Sequence, residues 1–573
     1  MTAKTKTQRF RRLISHGFFA PELPPCFVSH DLAKFRESIW KKIEAVPAQN
    51  QNKSGAKQFI SEPCWFYFPR FGRDDRKHGV LNPISYLAVS KTISDNFVEL
   101  RKITRASPIS SSPLVFDWGG RRALFRASVD LRDDFRVDLS TRRENFAIAD
   151  IRAFFHSIYT HAIPWAIYGK AFAKKNRKLT HFGNLLDLYC RNAQDGQTIG
   201  LPVGPDTSRL IAEVLACALD QKLMELVEIG PRDASRYIDD FTIGVDTNHT
   251  GSEVIAALRN AASHFELELN NDKSAVHPTS YRFPTGWKQA ILAHVPRKDF
   301  EPEHFSRFFY EIGRICQEQP DLNIEKFAFQ NARSAFTRAT NWKNIQSHLI
   351  NSYRRNPSLV SFLAEVFILR QSSKGDVENS VVSSFLTHRL PQLVKQNRTG
   401  EIIWLLFLAI RLNVRLESKN ISQLSSMENS LVALLVNYAH DKGVIVGDVD
   451  YSLWETSLNK DGLEGPMWLY AYESVRLGIA PNKDSNFIKH HKFFKFLLEK
   501  NISFIDMENG LTSINATLRD RRSENKQSNR LRMDFLEDLK IDLEEFDEED
   551  LDDLEEWEKF AGEDMEEYAE QYD

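Results

Sequence analysis

The stretch Ser235-Arg236-Tyr237-Ile238-Asp239-Asp240-Phe241-Thr242-Ile243 sets two adjacent carboxylates between runs that read as β-strand. Strand formers on both sides of an acid pair predict a hairpin with the acids at its apex. Adjacent carboxylates suit Mg²⁺, because a hard cation takes oxygen ligands and two such ions about 4 Å apart clamp attacking and leaving oxygens. Alone, the string also fits an ordinary polar turn. Its weight comes from Asn145-Phe146-Ala147-Ile148-Ala149-Asp150 upstream, a compact apolar strand ending on an acid. Three carboxylates brought from separate strands are what a two-metal site requires.

Composition bounds the rest. A chain of 573 residues with 42% hydrophobic residues exceeds one ordinary core, so two or three domains are expected. The five cysteines (Cys26, Cys64, Cys190, Cys217, Cys316) are scattered and form no Cys-x-x-Cys pair, which argues against a disulfide framework or zinc site and for a reducing, intracellular setting. Met1 to Arg12 is basic and polar, so no secretory signal is expected. The longest apolar run, Ile402 to Ile410, is far short of the roughly 20 residues that span a bilayer, so a soluble protein with no membrane partner is expected.

The net charge of −3 hides an asymmetry. From Asp534 to Asp573 stand 21 acids against Lys540 and Lys559, a net of −19; the remaining 57 acids and 73 basic residues leave the body at +16. A basic body with an acidic tail suggests a phosphate backbone as partner, although such charges also solvate surfaces.

Residues 7–45 read as helix, broken at Gly17-Phe18-Phe19-Ala20-Pro21. Short aromatic and β-branched runs follow between Cys64 and Arg126. Arg209 to Val227 reads as a strong helix, with Pro205 and Ser208 at its start. Beyond Lys273, apolar helices are expected near 343–352, 358–370, 380–395, 401–412, 427–439, 464–477 and 486–500, an antiparallel array of repeat-like pairs.

Four motifs in order resemble reverse transcriptases: Asp150-x-x-x-Phe154-Phe155, Pro202-x-Gly204-x-x-x-Ser208, Tyr237-Ile238-Asp239-Asp240, and Leu267-x-Leu269-Asn270-x-x-Lys273. More narrowly, Phe155 to His161, Ile163-Pro164-Trp165-Ala166 and Gly204 to Arg209 are similar to bacterial defence-associated, abortive-infection (AbiK-like) reverse transcriptases. The resemblance implies an α+β right-hand polymerase of fingers and antiparallel palm sheet over residues 1–300, with the helical segment 1–60 included. An all-α helical-repeat domain over 301–516 and a linker with acidic tail over 517–573 would follow. It also implies antiphage DNA synthesis from dNTPs, untemplated or directed by a noncoding RNA, with a protein hydroxyl as primer and the product covalently attached. A homo-oligomer in the bacterial cytoplasm, using Mg²⁺ or alternatively Mn²⁺, completes the expectation.

Roles are carried over residue by residue. Asp150 and Asp239 would ligate metal and Asp240 would complete the acidic pocket. Ile151, Phe155, Val203, Gly204 and Lys273 would border the nucleotide, with Arg122 and Arg126 as candidates to grip triphosphate. A bulky Phe155 would exclude a 2′-hydroxyl; Phe154 reads as core. Lys273 would meet the phosphates or the leaving group, the alternative being a solvated turn lysine. His156 and His161 read as turn or packing residues. Val203 replaces the glutamine usual between the proline and glycine and cannot hydrogen-bond, which counts against faithful copying of long templates. Tyr568 and Tyr572 on the tail are candidate primers, against the simpler reading of a solubilising tail. Two alternatives remain open: a retron or group II intron-type reverse transcriptase, and a polymerase-shaped RNA-binding scaffold.

Overall fold

The aromatic run Cys64–Arg70 (β1) pairs antiparallel with the charged Arg73–Val80 (β2), closing at Gly72, whose φ of +62° is a left-handed conformation that glycine adopts without a Cβ clash. The computed structural model describes residues 5–48, 54–111, 115–125, 130–279, 286–297, 300–482, 484–509 and 511. The tail with Tyr568 and Tyr572, and Arg126, lie outside the described residues.

The expected apolar strand forms β3 (Asn145–Asp150), joined by β4 (Ala234–Tyr237), β5 (Asp240–Val245) and β6 (Ala275–Pro278). Together they make a four-stranded antiparallel sheet in the order β4-β5-β3-β6. Phe146, Ala147 and Ala149 of β3 are buried, which is why that run is apolar without a break. The helix Asn248–His264 packs on the sheet, and the helix Asp206–Leu226, buried along most of its length, meets β4 through Arg236. Three of its four acids, Asp206, Glu213 and Asp220, recur every seven residues and so share one stripe.

Helices dominate the rest. Lys6–Gly17 starts at a capping box in which Thr5 accepts from the Gln8 backbone and Gln8 returns the bond, and His30–Glu44 follows. The expected C-terminal helices form as Trp342–Arg355, Val360–Lys374, Asn379–Lys395, Thr399–Leu412 and Ser430–Asp441; the last two expectations each split into shorter pieces, Lys460–Glu464 with Trp468–Arg476 and Asn486–Lys489 with Phe494–Glu499. The molecule is thus helix-dominated α+β. No helix among the described residues is long and apolar enough to cross a membrane.

The C-terminal helices fold back onto the start of the chain. Trp404 Nε1 donates to Glu22 O (2.6 Å), Asn429 Nδ2 to Trp65 O (2.7 Å), and the Tyr67 amide to Thr399 Oγ1 (2.8 Å). Gly400 permits this: a Cβ there would stand 2.5 Å from Tyr67 O. A continuous apolar core consequently runs from Phe10 to Leu511.

Candidate active site

The β4–β5 hairpin closes in two residues, Ile238 and Asp239, with Tyr237 opposite Asp240. Ile238 has φ +61°, a position where glycine is the usual occupant and a β-branched side chain is strained by about 1–2 kcal/mol. The surroundings hold it there. Arg236 NH1 donates to Ile238 O (2.9 Å), and the Ile151 amide donates to Asp239 O (3.1 Å). On the other side of the turn, Asp150 stands in register opposite Asp240, and its own carbonyl accepts from the Asn270 amide (2.7 Å). The backbone therefore brings Asp150, Asp239 and Asp240 to one end of the sheet.

Their electrostatics are unbalanced. Burial, then the charges of Asp240 and Asp150, pushes Asp239 up to about 6. Burial also raises Asp150 above the usual carboxylate range; Lys273 offsets part of that effect, and Asp240 adds to it. Two cations sit at the edges of the group: Lys273 Nζ is 2.5 Å from Asp150 Oδ2, and Arg132 NH1 is 3.0 Å from Asp240 Oδ2. Among the described residues no three His, Cys, Asp or Glu side chains are gathered closely enough to form a ready metal-ligand group.

A second acid cluster lies directly behind the turn. Arg236, fully buried, donates through Nε and NH2 to Asp220 (2.8–2.9 Å) and through NH2 to Glu213 Oε1 (2.9 Å). Ser107 and Ser110 add hydroxyl donors to Asp220 and Glu213, each at 2.6 Å. Burial works against ionising either acid. Arg236 more than offsets it at Glu213, which sits below the usual range, but not at Asp220, which stays above it. Sequence reasoning missed these three residues. Acids spaced by seven on an otherwise apolar helix were the available signal, since buried acids require partners.

The other expected residues divide. Ile151 is wholly buried, so only its backbone serves the site. Phe155 is partly exposed, its carbonyl accepting from the Leu201 amide (2.7 Å), while Phe154 is core as expected. Val203 O accepts from the Gly79 amide (3.0 Å), docking the loop on β2. Gly204, at φ +128°, lies so close to Ala20 that a Cβ would stand 2.8 Å from Ala20 Cβ; its closeness serves packing against this residue. Arg122 has a different engagement from the expected triphosphate grip. Its guanidinium donates to Phe19 O (2.7 Å), Gly204 O (2.8 Å) and Asp206 Oδ1, and Asp206 also accepts from the Ala123 and Leu124 amides. Arg121 is exposed. His161 pairs with Asp187 (2.7 Å), a structural contact.

Another set of cations lies on the β1–β2 hairpin. Burial lowers His156, and Lys77, Arg76 and Arg70 of the β1–β2 hairpin lower it further, so that hairpin presents its positive charge to the loop following Phe155. The basic residues Arg70, Arg73, Arg76 and Lys77, following directly on the aromatic run Trp65-Phe66-Tyr67-Phe68, were the signal for it.

No protein-family model matches the chain, and no curated protein matches it. Among solved structures it is similar to apo telomerase from Candida tropicalis at 12% identity, with a TM-score of 0.31 over 75% of this chain and 76% of that one.

Proposed function

We propose that the chain is a reverse-transcriptase-like nucleotidyltransferase that makes DNA from deoxynucleotides at Asp150, Asp239 and Asp240. The observation that supports this most is the register: Asp150 opposite Asp240 across β3 and β5, with Asp239 on the two-residue turn between strands. The donor set fits a divalent cation chemically, since it offers only hard oxygens and carries more negative charge than Lys273 and Arg132 balance. Mg²⁺ or Mn²⁺ bound there would supply activation of a primer hydroxyl and neutralisation of the triphosphate.

The chain's own residues do the positioning. Asp150 and Asp239 hold the cation and Asp240 completes the pocket. Lys273 brings positive charge to the phosphates or the leaving group, and Lys77, Arg76 and Arg70 add to it from the hairpin. Phe155 blocks a 2′-hydroxyl, so Phe155→Ala is expected to raise ribonucleotide use relative to deoxynucleotides by about tenfold. Val203 contributes backbone and bulk only. The finer reading is antiphage defence, with a noncoding RNA as template or scaffold, a protein hydroxyl as primer, and a homo-oligomer as the working form. It rests on the sequence resemblance of residues 155–166 and 204–209.

The test is incorporation of labelled dNTPs by purified protein with Mg²⁺, followed by phenol extraction. Labelled product that Asp239→Asn/Asp240→Asn abolishes is expected, and product retained with the protein would support protein priming. Undiminished incorporation by that variant contradicts the proposal. One observation favours a second reading, a polymerase-shaped scaffold: two of the acids are already paired, with Lys273 and with Arg132. Biological function preserved in the Asp239→Asn/Asp240→Asn variant would establish it.

A further inference from the structure

We propose that the segment from Tyr159 to His181 is a binding surface for single-stranded polynucleotide. Between Ile151 and Leu186 the chain contains no Asp or Glu, and lysine and arginine cluster from Lys170 to Lys178. Two short helices, Ala162–Tyr168 and Lys170–Lys175, carry most of it. Lys170 is engaged at the base of the surface: its ammonium donates to His264 O (2.7 Å), lies 3.3 Å from Glu266 Oε1 and stacks 4.2 Å over the Trp165 ring. Lys174, Lys175, Arg177 and Lys178 are exposed, and no acid among the described residues pairs with them. The neighbouring Asp187 is occupied by His161 and Arg191.

Four like charges within five residues repel one another; among the described residues their side chains meet only a carbonyl, Lys174 O accepting from Arg177 Nε (3.2 Å), and the Trp165 ring, 5.7 Å from the Lys174 ammonium. Beside them Phe172 is 45% exposed, its ring meeting Tyr168 at 5.7 Å and His181 at 5.6 Å. Trp165 and Tyr159 extend the ring series, 5.8 Å apart, toward Phe155 in the chain. Cations for phosphates interleaved with accessible rings for unpaired bases are the chemistry of a sequence-tolerant single-strand platform. A duplex would leave the rings without a base to stack on. The surface is tied to the aspartates: Lys170 anchors on His264 and Glu266, and the chain from there reaches Leu269, which pairs with Ile151 next to Asp150. The inference rests on the polymerase reading only for the purpose of the bound strand.

The experiment is fluorescence anisotropy of labelled oligo-dT and oligo-rU with the full chain, between about 50 and 200 mM salt. Wild type is compared with Lys174→Glu/Lys175→Glu/Arg177→Glu/Lys178→Glu, with Phe172→Ala and with Asp239→Asn/Asp240→Asn. The fourfold reversal is expected to weaken binding at least tenfold and to flatten its salt dependence. Phe172→Ala is expected to weaken it about fivefold or more. The aspartate variant is expected to bind as wild type while losing synthesis, which separates failure of this inference from failure of the active-site reading. Lys174→Gln/Lys175→Gln, expected to weaken binding severalfold, serves if the fourfold variant misfolds. Wild-type affinity in the natively melting lysine and phenylalanine variants overturns the inference. So does a change in assembly mass with affinity intact, which would make the surface a self-association face. The ratio of the two oligomer affinities reports whether DNA or RNA is the preferred strand.

Discussion

Two acid clusters sit back to back at one end of the sheet, and the molecule treats them oppositely. Glu213 and Asp220 are sealed from solvent, bonded bidentately by Arg236 and completed by two serines. Asp150, Asp239 and Asp240 are only partly compensated, by cations at their edges, and burial, with repulsion from Asp240 and Asp150, holds Asp239 at about 6. Acids that build a fold are neutralised where they stand. Acids kept short of cations are a reservoir of negative charge, at a cost in stability that a bound cation would relieve. Arg236 joins the two clusters, because the same guanidinium that satisfies the buried pair also holds the carbonyl of the strained Ile238.

Mutation separates the two clusters. The largest effect is expected from Arg236→Met, which strands two buried carboxylates and should cost about 3–5 kcal/mol in denaturant unfolding. Asp239→Asn/Asp240→Asn should leave stability unchanged or raise it while abolishing synthesis; equal destabilisation by both variants would end the distinction. Next comes Arg122→Gln. It leaves Asp206 buried without its guanidinium, but Arg122 is itself partly exposed, so a loss of about 2 kcal/mol is expected and nucleotide affinity in the folded fraction should be little changed. A large rise in nucleotide KM would restore Arg122 to the triphosphate.

The smallest effect is a pH dependence. Asp239 has a folded value raised above its unfolded one, so its contribution to stability is full below about 4 and is lost as pH rises through about 6. In metal-free buffer Asp239→Asn should therefore match wild type near pH 4 and melt about 2 °C higher by pH 7. A gap that is constant across that range would mean that neither burial nor the neighbouring charges raise Asp239.

How much was legible follows from whether a residue's partner is near in sequence. β3 ending on Asp150, a hairpin at the acid pair and the helices after residue 340 could be read because periodicity and local turns decide them, although the turn is Ile238–Asp239 and Asp240 already opens β5. Arg122 could not, because its partner Asp206 stands 84 positions away and residue type alone does not separate a phosphate grip from an ion pair. Arg236 was concealed inside the motif, its partners reading as the polar face of a helix. The sequence likewise held no sign that Thr399–Leu412 would dock on β1, since an apolar helix declares that it is buried but not against what.

That Asp150, Asp239 and Asp240 form the cation site, and the Arg236-bonded pair does not, is tested by titrating Mn²⁺ and following the free-ion electron paramagnetic resonance signal. Wild-type protein should withdraw the signal saturably, Mg²⁺ should restore it by competition, and Asp239→Asn/Asp240→Asn should abolish the withdrawal while its circular dichroism stays native. Equal Mn²⁺ uptake by the natively folded variant and the wild type would contradict the account.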